Sequence, residues 1–322
     1  MFGISVILCT HNPRADYLKR VLDALKAQTL PKEQWELLLI DNASKEPLAG
    51  SWDLSWHTNG RHVREENLGL TNARLRGIAE ATAPLLVFVD DDNVLDPHYL
   101  MSALKIERDC PMLGAWAGNC QAEFESTPPE WVLSRLGYLA IASVRRDAWS
   151  NIPNSETVPY GAGLCVRANV AREYERRTAN DAVGLSLDRK GSNLSSGGDV
   201  DIVFTAFQMG MGAGRFKNLS LIHIIPSFRL QEDYFVRLIE SGEHAIHILY
   251  DRHGMREERV EKTWRGRLAN FFRYWLASRP NRRFMRAQNR GRDRALVELS
   301  RMAIDRKNSR IQNKTGAVQT NA

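Results

Sequence analysis

An α/β fold, with an open, mostly parallel sheet flanked by helices and a helical, basic C-terminal extension, is what the sequence predicts. Three observations carry this prediction. Through the first hundred residues, apolar runs of strand length alternate with runs of helical spacing. Three of the apolar runs end in polar residues, Thr10-His11-Asn12, Asp41-Asn42 and Asp90-Asp91-Asp92-Asn93. In an open parallel sheet, ligands bind beyond such carboxyl ends. The charge is also divided: from Asp251 to Ala322, 19 Lys and Arg stand against 7 Asp and Glu, a net of +12, so the overall +6 leaves the first 250 residues at −6.

In chain order, Ile4 to Cys9 reads as a strand, and Asn12-Pro13 starts a helix, with Asn12 as the capping side chain and proline at the first helical position. Leu18, Val21, Leu22 and Leu25 share one face of that helix. Trp35 to Ile40 is the second strand, a short polar strand lies near Val63, and a helix runs from about Thr71 to Ala81. Pro84 to Val89 is the strand that delivers the Asp cluster. Leu113 to Ala117 and Pro159 to Val166 read as strands, with Trp116, Trp131 and Trp149 nearby as core residues or sugar-stacking platforms. Ser195 to Asp201 opens a helix to Met211, ended by Gly210 and Gly212. Arg215 to Ile225 is a strand closed by Pro226. The pattern is helical from after Arg229 to about Arg294, and residues 301–322 read as a polar, disordered tail. The expected division is a catalytic domain over 1–229, a helical extension over 230–300 and the tail.

With 322 residues and 43% hydrophobic content, the chain can bury one large core plus an appendage. Cys9, Cys110, Cys120 and Cys165 show no C-x-x-C spacing and are expected as free thiols in a reducing compartment. The apolar N-terminus has no basic leader and no stretch approaches a membrane span, so a cytoplasmic protein is expected, peripheral on the inner face of the membrane. A mildly acidic body with a basic extension does not suit a nucleic-acid-binding core, and no nucleic acid is expected as partner.

Carboxylates as close as Asp90, Asp91 and Asp92 repel one another, so the cluster must be solvated, partly protonated or neutralised by a cation. Strand alternation would put Asp90 and Asp92 on one face with Asp91 turned away. Such an Asp-x-Asp pair suits Mn2+ or Mg2+, whose other ligands come from water and phosphates. The alternative is a polar turn that ends a strand. An EF-hand is disfavoured, because no glycine stands where its loop turns.

Four segments in order, Ser5 to Asn12, Leu39 to Ser44, Asn67 to Ile78 and Val87 to Asp92, follow the pattern of a known family, and the match returns weakly at Gly161-Ala162-Gly163 and Gly197 to Asp201. The chain resembles the family 2 glycosyltransferases with the GT-A fold, which are inverting and nucleotide-sugar dependent. The resemblance implies a Rossmann-like sheet and a nucleotide site formed by Thr10, Asn12, Asp41, Arg74, Asp90 and Asp91. Asp41 would accept a hydrogen bond from the base, and Arg74 would hold the base or the phosphates. Asp90 and Asp92 would meet the ribose and the metal, with Asp92 the direct ligand. Asp199 would be the general base and Asp201 the fallback, since the Glu of the family's usual Glu-Asp pair is replaced here by Gly198. Without that role, Asp199 would be a helix cap and Asp201 a first-turn dipole partner. His223 would complete the metal site, or else be a satisfied core histidine. His244 and His247 have no evident carboxylate partner and are read as solvated.

The expected function is metal-dependent, inverting transfer from a nucleotide donor, a UDP-sugar, to a hydroxyl of a glycan or lipid-linked acceptor, in polysaccharide or glycoconjugate synthesis. A nucleotidyltransferase would need a glycine-rich basic loop after the first strand, and Thr10 to Arg14 is not one. A non-catalytic adaptor with a degenerate domain is the other alternative. In the extension, Trp264, Leu268, Phe271, Phe272 and Trp275 form an aromatic stripe flanked by Arg265, Arg267, Arg273 and Arg279. This stripe would lie on an anionic membrane surface, or pack on the catalytic domain or a second subunit.

Overall fold

The computed structural model describes residues 2–191, 193–255, 264, 268, 272 and 274–319. Strands β1 (Ile4–Thr10), β2 (Trp35–Asn42), β3 (Gly60–Glu65) and β4 (Leu85–Asp90) form a parallel wing in the order β3-β2-β1-β4. Every residue of β1 and β2 is buried, as expected of apolar runs covered on both faces. Helix α1 (Ala15–Lys26) lays Leu18, Val21, Leu22 and Leu25 on Ile4, Val6 and Leu8. Helix α2 (Leu70–Glu80) covers the opposite face, where Ala73 and Ile78 join Ile7 and Cys9. Helix α3 (Tyr99–Asp109) joins the α1 face.

The second half of the sheet is mixed. Strands β5 (Asn93–Leu95), β6 (Leu113–Phe124), β7 (Ala148–Ser150), β8 (Cys165–Arg167) and β9 (Gly212–Ile225) extend the order to β3-β2-β1-β4-β8-β6-β9-β5, with β7 on β9. Strand β8 runs antiparallel to both β4 and β6, and β6 runs parallel to β9. A short α4 (Glu130–Leu133) follows β6. Helices α5 (Ala168–Thr178) and α7 (Gly198–Gln208) pack on the α2 face, and the short α6 (Ala182–Ser186) lies between them in sequence. Trp116 is in the core, whereas Trp149 is exposed on β7.

Local chemistry overrides the sequence pattern at two places. Asn12 does not cap α1, which starts at Ala15 after Arg14. Asn12 adopts φ 47° and ties β1 to the loop after β2 instead: its N–H donates to Ser44 Oγ (2.9 Å) and its Oδ1 accepts Lys45 N–H (2.9 Å). Asparagine tolerates that left-handed backbone. Of the run Pro159 to Val166, only the end becomes strand. Gly163 turns at φ +68°, and its carbonyl accepts the buried Tyr99 hydroxyl at 2.7 Å, so residues 159–164 form a loop.

One close approach sets the height of α2 over the sheet. A Cβ on Gly77 would stand 2.3 Å from Ile7 Cγ2. Gly77→Ala is expected to lower stability by about 1–3 kcal/mol, because overpacking outweighs the gain in helix propensity of up to about 1 kcal/mol. A lower urea midpoint at unchanged slope is the expected readout, and a midpoint equal to wild type would contradict this packing.

Two compact units, residues 1–234 and 235–322, make up the chain. The first extends beyond the expected boundary at 229 because the turn Ser227–Leu230 and Tyr234 belong to it: Phe228 packs edge-on against Tyr234. In the second unit, the rest of α8 (Glu232–Arg252) packs against α9 (Arg279–Gln319) through Phe235 and Phe284, with ion pairs Arg290–Glu240 (2.8 Å) and His244–Glu298 (2.7 Å). His244 therefore has a carboxylate partner, supplied by a residue 54 positions away that helical spacing does not reveal. The tail read as disordered from 301 continues α9 as helix to Gln319. Within the aromatic stripe, Trp264, Leu268, Phe272 and Trp275 are exposed. Phe271, Arg265, Arg267 and Arg273 lie outside the described residues. Among the described residues no helix is long and apolar enough to cross a membrane.

Candidate active site

The carboxyl ends of β1, β2 and β4 meet at one edge of the sheet. At the end of β2, Asp41 is 3% exposed, and its carboxylate accepts the N–H of Ser44 (3.1 Å), the N–H of Leu48 (3.1 Å) and Arg64 Nη1 (2.8 Å). Burial pushes its pKa up, but the hydrogen bonds from Ser44, Arg64 and Leu48 outweigh it and hold the carboxyl below its usual range. Asp41 thus shapes the loop after β2 and uses most of its acceptor capacity there. Asn42 beside it accepts Gly69 N–H (2.8 Å) and donates to Asn67 O (2.8 Å), which fixes the entry to α2.

The Asp cluster does not follow strand alternation. Strand β4 ends at Asp90, the chain turns through Asp91 and Asp92, and β5 returns antiparallel to β9 with Asn93 opposite His223. Each carboxylate consequently meets a different neighbour. The Thr10 hydroxyl donates to Asp91 Oδ2. Burial and the charge of Asp92 push Asp91 up to about 7, against the Thr10 hydrogen bond. Burial also raises Asp90, with Arg74 opposing and Asp92 adding to the rise. Burial acts on Asp92 too, but His223 and Arg229 override it and keep that carboxyl well below the usual range. Asp92 Oδ2, His223 Nε2 and Arg229 Nη1 form a triangle with sides of 3.3, 3.4 and 3.1 Å. Asn93 Nδ2 donates to Asp92 Oδ1 at 2.8 Å. An oxygen and an imidazole nitrogen 3.3 Å apart suit one small cation, and the guanidinium of Arg229 is the cation that faces both.

A second cationic centre lies on α2. Arg74, 4% exposed, donates through Nη1 to Asp188 Oδ2 at 2.6 Å. Burial opposes its charge, but Asp188, Asp90, Asp199 and the Cys9 thiol keep its pKa raised. Asp199, in the first turn of α7, is half-buried, and its Oδ2 accepts the Gly161 N–H at 2.7 Å. A Cβ on Gly161 would stand 2.9 Å from that oxygen, so glycine is what lets this loop come so close. Asp201 is separated from Asp199 by burial: it is 1% exposed.

The sequence-derived residues are therefore brought together in two groups, Asp90, Arg74 and Asp199 in one and Asp92 with His223 in the other, with Thr10 and Asp91 at the adjoining strand end. Asn12 and Asp41 shape the rim, and Asp201 is packed inside. Three residues escaped the sequence reading: Asp188, Arg189 and Arg229. Asp188 and Arg189 lie in a loop without periodicity. Arg229 follows Pro226 and looks like a solvated helix start, yet it is 6% exposed. The charge of Arg229, then burial, lower the pKa of Arg189, against the opposing charges of Tyr234, Asp92 and Asp90.

This edge, with carboxylates and guanidinium groups gathered at parallel strand ends, falls largely within the segment that matches a known family: residues 5–156 fit the model of Glycosyl transferase family 2. Over that segment, 152 of the 322 residues, the chain matches glycosyl transferase family 2. The chain is 25% identical over 201 residues to Glycosyltransferase AglE of Haloferax volcanii, covering 61% of this chain and 59% of AglE. It is 33% identical over 151 residues to Validoxylamine A glucosyltransferase of Streptomyces hygroscopicus subsp. jinggangensis, covering 42% of this chain and 35% of that enzyme. The match thus spans from about a third to three-fifths of the length of these relatives. Among solved structures, S. aureus TarS 1-349 in complex with UDP superposes with a TM-score of 0.52 at 13% identity, covering 92% of this chain and 89% of that one. The chain has the GT-A fold.

Proposed function

We propose that this chain is an inverting glycosyltransferase that moves a sugar from a nucleotide donor, a UDP-sugar, to a hydroxyl of a glycan or lipid-linked acceptor. The observation that carries it is that Asp199 and Asp90, 109 positions apart in the chain, both lie in the field of the buried Arg74, with the Asp92–His223 pair close by. The solved structure of similar fold holds UDP, and two relatives bear the names of a glycosyltransferase and a glucosyltransferase.

In this reading, Thr10, Asn12, Asp41, Arg74, Asp90 and Asp91 form the nucleotide site. The loop that Asp41 organises receives the base, and Arg189 and Arg229 face the diphosphate. The acceptor oxygen bonds to the anomeric carbon as the bond from that carbon to the diphosphate breaks. Asp199 takes the hydroxyl proton, and the products are a glycoside of inverted configuration and UDP. Asp201 is too deeply packed to serve as the base. Asp92 and His223 would hold Mn2+ or Mg2+, which when bound neutralises charge growing on the leaving diphosphate. Among the described residues no three acidic, histidine or cysteine side chains form a metal cluster, so water and the diphosphate would supply the other ligands. Calorimetric titration with UDP, with and without Mn2+, tests the reading. Binding that strengthens with Mn2+ is expected, and wild type that ignores UDP in both conditions would overturn the UDP assignment.

Trp264, Leu268, Phe272 and Trp275 are exposed and recur at helical spacing in the sequence, which is arginine-rich around them. We read this stripe as a contact with an anionic membrane surface, which suits a lipid-linked acceptor and a place on the inner face of the membrane. Wild type is expected to pellet with vesicles containing anionic lipid, and a Trp264→Glu/Phe272→Glu/Trp275→Glu variant is expected to remain in the supernatant. Equal pelleting of the two would remove the membrane role.

A further inference from the structure

The sequence departs from its family at Gly198, and the structure places a carboxylate against that departure. A Cβ on Gly198 would stand 2.3 Å from Asp188 Oδ2, 2.8 Å from Asp188 Cγ and 3.4 Å from Arg74 Nη1. The space where a side chain at 198 would begin is therefore taken by the carboxyl group of Asp188. The backbone holds it there, because Gly197 N–H donates to Leu187 O at 2.9 Å and Leu70 N–H donates to Arg189 O at 3.0 Å. These bonds pin the 187–189 loop between the start of α7 and the start of α2.

Asp188 is also matched to its surroundings. Its ion pair with Arg74 is buried, each side chain being 5% exposed, and a buried guanidinium needs such a partner. Asp199, next to Gly198, lies in the field of the same guanidinium. We propose that Asp188 supplies, from this loop, the second carboxylate of the acidic pair that the family carries at the start of this helix, the Glu having been exchanged for Gly198. Asp188 is a positioning residue: it holds Arg74 between the Asp cluster and Asp199 and so sets the orientation of the base. Its effect on turnover rests on the glycosyltransferase reading, whereas its placement does not.

The test is a cycle of full-length proteins: wild type, Asp188→Gly, Gly198→Glu and the double variant Asp188→Gly/Gly198→Glu. Each single change is expected to lower the melting temperature by on the order of 5 °C, one by leaving Arg74 unpaired and the other by collision with Asp188. The double variant is expected to melt above either single variant, because the new Glu takes the vacated place. In the folded proteins, release of UDP from UDP-glucose is expected to fall about tenfold or more in Asp188→Gly, with a smaller change in UDP affinity, and to recover in the double variant. A double variant destabilised by the sum of the single effects would overturn the placement. Recovered melting without recovered turnover would reduce Asp188 to a structural partner of Arg74 and overturn the positioning role. If wild type turns over no UDP-sugar, the glycosyltransferase reading is what fails, and the melting cycle decides the placement by itself.

Discussion

Asp199→Asn is expected to slow sugar transfer by about 10²–10⁴-fold, the usual contribution of a positioned general base, while UDP binds nearly as in wild type. The amide keeps the shape of the carboxylate and can still accept the Gly161 N–H that now reaches Asp199 Oδ2 at 2.7 Å, so the loop and the start of α7 stay in place. What is lost is the capacity to take a proton. Turnover and UDP affinity measured on the same preparation separate the two effects. Turnover within threefold of wild type would move the base elsewhere. The same variant of Asp201 would not identify it as the replacement, because at 1% exposure its loss acts through packing.

The second large effect is expected at Asp92. Its Oδ2 lies 3.3 Å from His223 Nε2 and 3.4 Å from Arg229 Nη1, so Asp92→Ala removes the oxygen that both face. UDP affinity in the presence of Mn2+ is expected to fall by about 10–100-fold, and the difference between affinities with and without Mn2+ is expected to vanish. Asp92 and His223 would hold the cation, and it would compete with Arg229 Nη1 for the same two atoms. If Asp92→Ala keeps the full response to Mn2+, the cation binds elsewhere. If wild type shows no response to Mn2+ while binding UDP, Arg229 itself serves as the cation at that oxygen.

The parallel wing was legible because its strands are buried on both sides. Seven residues of β1 and eight of β2 are buried without interruption, and a continuous apolar run carries that information locally. Tyr99 to Asp109 and Ala168 to Thr178 were not recognised as helices, although both bury an amphipathic face. In the second half, strand character depends on partners far away. Strand β8 has three residues and exists because β4 and β6 flank it, and the adjoining residues 159–164 are held as a loop by Gly163 and the distant Tyr99 hydroxyl.

The resemblance to family 2, the parallel half of the sheet and the carboxylates at its strand ends could all be read along the chain, because they rest on short apolar runs and on residues adjacent in sequence. Only the tertiary structure decided how those carboxylates are divided. Asp91 answers to Thr10, Asp92 to His223 and Arg229, and Asp199 shares the field of Arg74 with Asp188, a residue 114 positions from that arginine. Charge acts through space rather than along the chain, and in a buried site burial together with the nearest charges sets the direction in which each carboxyl is shifted.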